Sequence, residues 1–179
     1  MTLLGLICVV MIADLFIDAE KRAATFWLSM LALVVLAVGL YATAPSARTV
    51  VFYGAYVSDA LSQVLKLGAV LLVGVSFLYA RDYLRANDLN KGEYYLLGLF
   101  GLLGMMIMMS ANSLLTMYLG LETLALSMYA LVAIDRNNVT SAESAMKYFI
   151  LGAIASGALL YGISWVYGVT GSLQFDEIA

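Results

Sequence analysis

A chain of 179 residues that is 64% hydrophobic, only 12% charged and has a mean hydropathy of +0.96 is too apolar for a soluble domain of this size. It reads as an integral membrane protein. Histidine is absent and the single cysteine, Cys8, lies in an apolar run. His-based metal, haem and proton-relay sites, an internal disulfide and a cysteine-ligated iron–sulfur cluster are therefore excluded; the net charge of −3 says less than where the charges lie.

Six apolar runs follow in order: Met1 to about Ile17, Ala24 to Ala44, Ala60 to Ala80, Tyr94 to about Ala111, Leu114 to Ile134, and Ala142 to Gly168. None shows period-two alternation, so all six are expected to be helices and not barrel strands. The first is short for a span and lacks the basic start of a signal peptide. The joints between runs are short. Asp18 to Ala23 links the first two, and Asp18 is placed to pair with Arg22. Pro45 to Asp59 holds the only proline and a β-favouring piece, Val50 to Val57, around Gly54. Arg81 to Glu93 is expected as a mixed-charge loop, and Ser110 to Ser113 as a tight turn in which Ser113 or Asn112 caps the fifth helix. Asp135 to Ser141 precedes the sixth run, with Thr140 or Ser141 as the expected helix start.

Six crossings divide the basic residues unequally. One side receives Lys21, Arg22, Arg81, Arg85, Lys91 and Arg136, and the other only Arg48. This bias places the richer side in the cytoplasm and both termini outside, on the periplasmic or equivalent face.

Glu122 is the residue around which a functional reading turns. It lies in the middle of the fifth run, in MYLGLETLALSMY, with no cation within a turn or two on the same helix. An acidic residue at a helix centre costs roughly 2.5–3.5 kcal/mol on insertion scales, so it is expected to face a polar interior and to have a partner or a proton. Two readings are open: a proton-carrying site, or a structural carboxylate that hydrogen-bonds a neighbouring helix.

Two lysines also fall inside or beside apolar runs. Lys147 sits early in the sixth, four residues after Glu143, in the favourable order for a helical ion pair. It is either a snorkelling border residue or a charge coupled to Glu122; counting from the helix ends separates the two by roughly 9 Å along the membrane normal. Lys66 is two turns into the third run and shares a helix face with Asp59, with outward snorkelling as its alternative. Asp14 and Asp18 read as interface residues. Met105, Met106, Met108 and Met109 read as adaptable packing. Gly152, Ala155 and Ser156 would let a neighbour approach the sixth helix closely. No Walker loop, dinucleotide fingerprint, CxxC or catalytic triad pattern occurs, so nothing in the chain suggests nucleotide binding, nucleic-acid binding or electron transfer.

The segment LGLETLALSMYALVA, followed by ESAMKYFILGAIASGALLYGISWVYGVTGSL, resembles the antiporter-like subunits of respiratory complex I, NADH:quinone oxidoreductase, and most of all the subunit N type. DALSQVLKLG and GEYYLLGLFGLLGMMIMMSANSLLTMYLGLE also fit, so the resemblance covers about Asp59 to Leu173 and extends more loosely over the first two runs. It implies an all-α, polytopic transmembrane bundle, about six helices here, forming the N-terminal part of a fold with two inverted repeats and broken helices. Residues 1–58 would be two N-terminal helices and an outer loop, 59–93 the third helix and a cytoplasmic loop, and 94–179 the start of the first repeat.

The resemblance further implies that Glu122 and Lys147 match the family's proton-translocating glutamate and lysine. The broken seventh helix, whose lysine is the usual partner of that glutamate, would lie beyond residue 179. Met128 stands where many relatives have proline. The chain is thus expected to be a piece of a longer subunit or one half of a split one. It would hold no cofactor itself; NADH, FMN, iron–sulfur clusters and quinone would belong to other subunits of the oxidoreductase. Its partners would be the lipid bilayer and the neighbouring membrane-arm subunits. Two rivals remain: a subunit of a multi-subunit cation/proton antiporter or membrane-bound hydrogenase, and a membrane scaffold without transport.

Overall fold

The structure is a computed structural model and describes residues 2–17, 23–43, 48–87, 89 and 91–178. Six principal helices run in chain order: α1 (Thr2–Leu15), α2 (Ala23–Ala42), α3 (Ala60–Ala86), α4 (Gly92–Met109), α5 (Leu114–Val132) and α6 (Val139–Thr170). A short hairpin, β1 (Thr49–Val51) and β2 (Tyr56–Ser58), separates α2 from α3, and a single turn, α7 (Phe175–Ile178), follows α6. Helices α2 to α6 are each long and apolar enough to cross a membrane, and α1 is a shorter apolar helix. The bundle is therefore a polytopic transmembrane one.

Helix α4 is the hub, because it touches α1, α2, α3 and α5. Its buried residues Tyr95, Leu99, Leu102 and Met106 recur at three- and four-residue spacing and so form one stripe. Leu3, Ile7 and Val10 of α1, Phe26, Leu33 and Leu36 of α2, and Val70, Phe77 and Leu84 of α3 close on that stripe. Lipid is as apolar as these side chains, so their contribution comes from close packing more than from leaving water. Aromatic edges supply part of it: Tyr95 meets Phe26 and Phe77 at ring distances of 5.6 and 5.3 Å. Met106 enters this core, in keeping with adaptable packing of the methionine cluster.

Helices α4 and α5 pack most closely where glycines face each other. A Cβ on Gly104 would lie 2.6 Å from the Gly120 carbonyl oxygen and 2.6 Å from the Leu124 nitrogen. Only hydrogen at both positions lets the backbones approach this far. Met128 leaves α5 continuous from Leu114 to Val132.

Two boundaries differ from the sequence expectation and a third is decided between its two candidates. Arg81 to Ala86 are not loop but the last turns of α3, which Asn87 ends. Leu84 is buried there, and the Arg81 guanidinium stacks 4.5 Å from the Phe26 ring, so these turns are held by packing that hydropathy does not register. Neither Thr140 nor Ser141 caps α6; Asn138 does, accepting from both their backbone N–H groups and starting the helix earlier. Of the two candidates at α5, Ser113 is the cap, accepting from Thr116, while the Asn112 side chain donates instead to the Gly54 carbonyl. The expected Asp18–Arg22 pair, Lys21 and Pro45 lie outside the described residues.

The β-favouring piece does pair, with Val50 opposite Val57. The α4–α5 turn is locked beneath it: Val57 donates to Ser110 and Asn112 to Ala55, while Phe175, beyond α6, donates to Asn112. One end of the bundle is thus a hydrogen-bonded cap made of the hairpin, the α4–α5 turn and residues 171–178.

Candidate functional site

The site lies between α5 and α6. Tyr118, Glu122 and Tyr129 recur at spacings of four and seven and share one face of α5, while Gly152 and Ser156 share one face of α6. Small residues on α6 admit the larger ones from α5. The Tyr129 hydroxyl occupies the space where a Cβ of residue 152 would be, and its ring meets those of Tyr148 and Phe149 edge-on at 4.9 and 5.6 Å.

Glu122 is half-buried in this seam. The Ser156 hydroxyl donates to its Oε2 at 2.5 Å, and the Tyr118 hydroxyl lies 3.1 Å from the same serine oxygen. A carboxylate can only accept, so Ser156 must donate to it when it is ionised; the serine oxygen is then free to accept from Tyr118. The three groups form one hydrogen-bonded chain with a single sense. Among the described residues Glu122 has no ion pair.

Lys147 is not brought to Glu122. It is exposed and pairs with Glu143 at 2.5 Å. It precedes Ser156 by nine residues, about 13 Å along α6 and half a turn round it. The side chains also lean apart, because each points toward its own helix N-terminus and the two helices run antiparallel. End-counting placed them nearer because it took the facing ends of α5 and α6 as level, whereas Glu122 lies 10 residues before the end of α5 (132 − 122) yet meets Ser156, 17 residues after the start of α6 (156 − 139).

Lys66 does not snorkel. Its side chain is buried, the residue being 4% exposed, and Nζ donates to the Tyr56 hydroxyl at 2.9 Å while lying 5.0 Å from that ring's centre. It lines an apolar cavity of about 370 Å³ with Leu3, Leu36, Phe52 and Met106. Asp59, on the same helix, is the α3 N-cap in a reciprocal box with Ser62. The two Ser62 hydrogen bonds, helped by Arg48 and Lys66, hold its carboxyl below the ordinary 3.8. Asp14 accepts from Thr25 at 2.6 Å, an α1–α2 contact that fits its interface reading.

The polar partners of Glu122, Ser156 and through it Tyr118, are not among the residues the sequence marks for that role. The signal was present as two matching stripes, polar or aromatic on α5 and small on α6, but their mutual facing depends on how the two helices are rotated.

In sequence and in fold this chain is similar to antiporter-type membrane proteins. Residues 111–179, which contain both the glutamate and its serine, match the family described as NADH:quinone oxidoreductase/Mrp antiporter, TM. The similarity extends along the whole chain to NADH-quinone oxidoreductase subunit N: 50% identity over 176 residues with that of Thioalkalivibrio sulfidiphilus and 52% over 177 with that of Alkalilimnicola ehrlichii, covering 98% and 99% of this chain. The chain spans little more than a third of those relatives, 37% and 36% of their length, and aligns with their N-terminal portion.

Among solved structures, respiratory complex I from Thermus thermophilus matches with a TM-score of 0.75 at 32% identity, covering 97% of this chain and 38% of the matched one. The archaeal membrane-bound sulfane sulfur reductase shares the fold, with a TM-score of 0.68 at 22% identity over 99% of this chain and 38% of that one.

Proposed function

We propose that this chain forms the N-terminal part of a proton-translocating, subunit N-type membrane subunit of an NADH:quinone oxidoreductase. Electron transfer from NADH to quinone, with the FMN and iron–sulfur clusters that serve it, takes place in other subunits. This chain moves protons in step with it, in contact with neighbouring membrane-arm subunits. The first antiporter-like repeat begins at residue 94, with the fourth helix. The excess of Arg and Lys at the end opposite the hairpin puts that end in the cytoplasm and both termini of this segment on the periplasmic side of the inner membrane.

One observation carries the reading: Glu122, eight residues into a 19-residue apolar helix, is held by a neutral hydroxyl and not by a cation. A fixed ion pair would lock its charge. A hydroxyl both donates and accepts, so it suits the carboxylate with or without its proton. Lys147 acts as a second charge whose grip on Glu143 is exchanged during turnover. Lys66, buried against Tyr56, is a lesser candidate for the same work.

The test is NADH-driven acidification in inverted vesicles carrying the full subunit, with assembly checked on a native gel. Glu122→Gln abolishes acidification and slows coupled quinone reduction, and Glu122→Asp retains part of both. Full acidification by an assembled Gln variant would leave Glu122 a packing residue and the chain a scaffold at this site. A second reading, a cation/proton antiporter subunit or a hydrogenase-like complex, draws on the matched family's joint description and on the fold shared with the sulfane sulfur reductase. NADH-dependence of the acidification separates it from the first.

A further inference from the structure

We propose that Ser156 and Tyr118 are a proton relay that connects Glu122 to the hairpin end of the bundle. The proposal rests on the reading of Glu122 as a proton carrier and adds the route and its direction. The geometry is a continuous chain: Tyr118 hydroxyl to Ser156 hydroxyl at 3.1 Å, and Ser156 hydroxyl to Glu122 carboxylate at 2.5 Å. The Ser156–Glu122 link is at the short end of the O–H···O range and the Tyr118–Ser156 link lies just past its long end, so the latter must shorten slightly as a proton passes. Tyr118 sits four residues nearer the hairpin end of α5 than Glu122, about 6 Å along the axis. Its side chain leans the same way, toward the helix N-terminus. Both hydroxyls are partly buried in an otherwise apolar seam, where an unpaired hydroxyl is costly.

The step balances as follows. When Glu122 is protonated, its O–H donates to the Ser156 oxygen, Ser156 donates to the Tyr118 oxygen, and the relay requires a solvent water on the hairpin side to accept from the Tyr118 O–H. One concerted shift moves the Glu122 proton to Ser156, the Ser156 proton to Tyr118 and the Tyr118 proton to that water. Glu122 is left as a carboxylate, both hydroxyls are again neutral, and one proton has left toward the hairpin. The chain then points from Tyr118 through Ser156 to Glu122, the sense required for an ionised glutamate. Rotation of the two hydroxyls, after Glu122 is reprotonated from the opposite side, resets it.

The experiment measures acidification and NADH oxidation together, in inverted vesicles with the assembled complex. Ser156→Ala and Tyr118→Phe each lower the rate of acidification by about 10²-fold, the low end for losing a positioned proton donor. Ser156→Thr, which keeps a hydroxyl, restores most of it. The double variant is no slower than either single one, since both break the same route. Tyr118→Phe keeps the ring, so it remains informative if Ser156→Ala fails to assemble. Wild-type acidification by assembled Tyr118→Phe or Ser156→Ala, with Glu122→Gln inactive, overturns the relay and leaves the Glu122 reading in place. Wild-type acidification by Glu122→Gln overturns both. Equal losses in Ser156→Thr and Ser156→Ala also overturn the relay, because they mark a steric effect and not a hydroxyl one.

Discussion

Gly104→Ala tests whether the site depends on the close approach of α4 and α5. The added Cβ would meet the Gly120 oxygen and the Leu124 nitrogen at 2.6 Å and the Leu124 Cα at 3.0 Å. Non-bonded heavy atoms rest near 3.5–4.0 Å, so the helices must part by about 1 Å. All three obstructing atoms are backbone, and no flexible side chain can give way. Overpacking costs about 1–3 kcal/mol, and the rigid surroundings put this case near the upper value. Replacing a helical glycine by alanine returns about 1 kcal/mol, leaving a net loss of about 2 kcal/mol. Glu122 is two residues beyond Gly120, so the same displacement carries the carboxylate with it. The assay is graded heating of the assembled complex followed by a native gel, with Gly39→Ala as the comparison because a Cβ there meets nothing within 4 Å. Gly104→Ala should disassemble at lower temperature and pump less, and Gly39→Ala should match or exceed the wild type. Indistinguishable behaviour of the two variants would refute the backbone-contact argument.

Further outcomes follow from other parts of the structure. Lys147→Ala lowers NADH-driven acidification with assembly intact and Lys147→Arg is milder; normal pumping by the Ala variant would make Lys147 a border residue paired with Glu143 and nothing more. A cysteine placed at Asn87, the C-cap of α3, resists labelling by an impermeant reagent from outside intact cells; ready labelling reverses the orientation. The Asp59 cap stabilises α3 above the ordinary carboxylate value of 3.8 and loses its effect as pH falls through the depressed value. Asp59→Asn keeps a capping side chain, so its heat stability should not show this acid-side loss; an unchanged loss would place its origin elsewhere.

The helices were legible because a bilayer selects for long apolar runs, and the hairpin because Val50 to Val57 is β-branched and aromatic around a glycine. Helix ends were less so. Arg81 to Ala86 look like loop on hydropathy, yet Arg81 continues α3 because Phe26 of a distant helix receives its guanidinium. Asn138 does not stand out as a cap in the sequence because Thr140 and Ser141 offer the same chemistry two and three residues later. Glu122 stood out because a lone carboxylate in an apolar helix is expensive. Its partners did not, since a serine or tyrosine in such a helix costs little and signals nothing until the facing helix is placed. Lys66 shows the same limit: its burial depends on Tyr56, which the hairpin carries over it.

The central claim is that Glu122 gains and loses a proton as the complex turns over. Infrared difference spectroscopy on the assembled complex, NADH-reduced minus oxidised, with carboxyl groups isotopically labelled, reads this directly. The account predicts a protonated-carboxyl C=O signal that changes between the two states and is missing from the Glu122→Gln variant. Identical difference spectra from wild type and variant would contradict it.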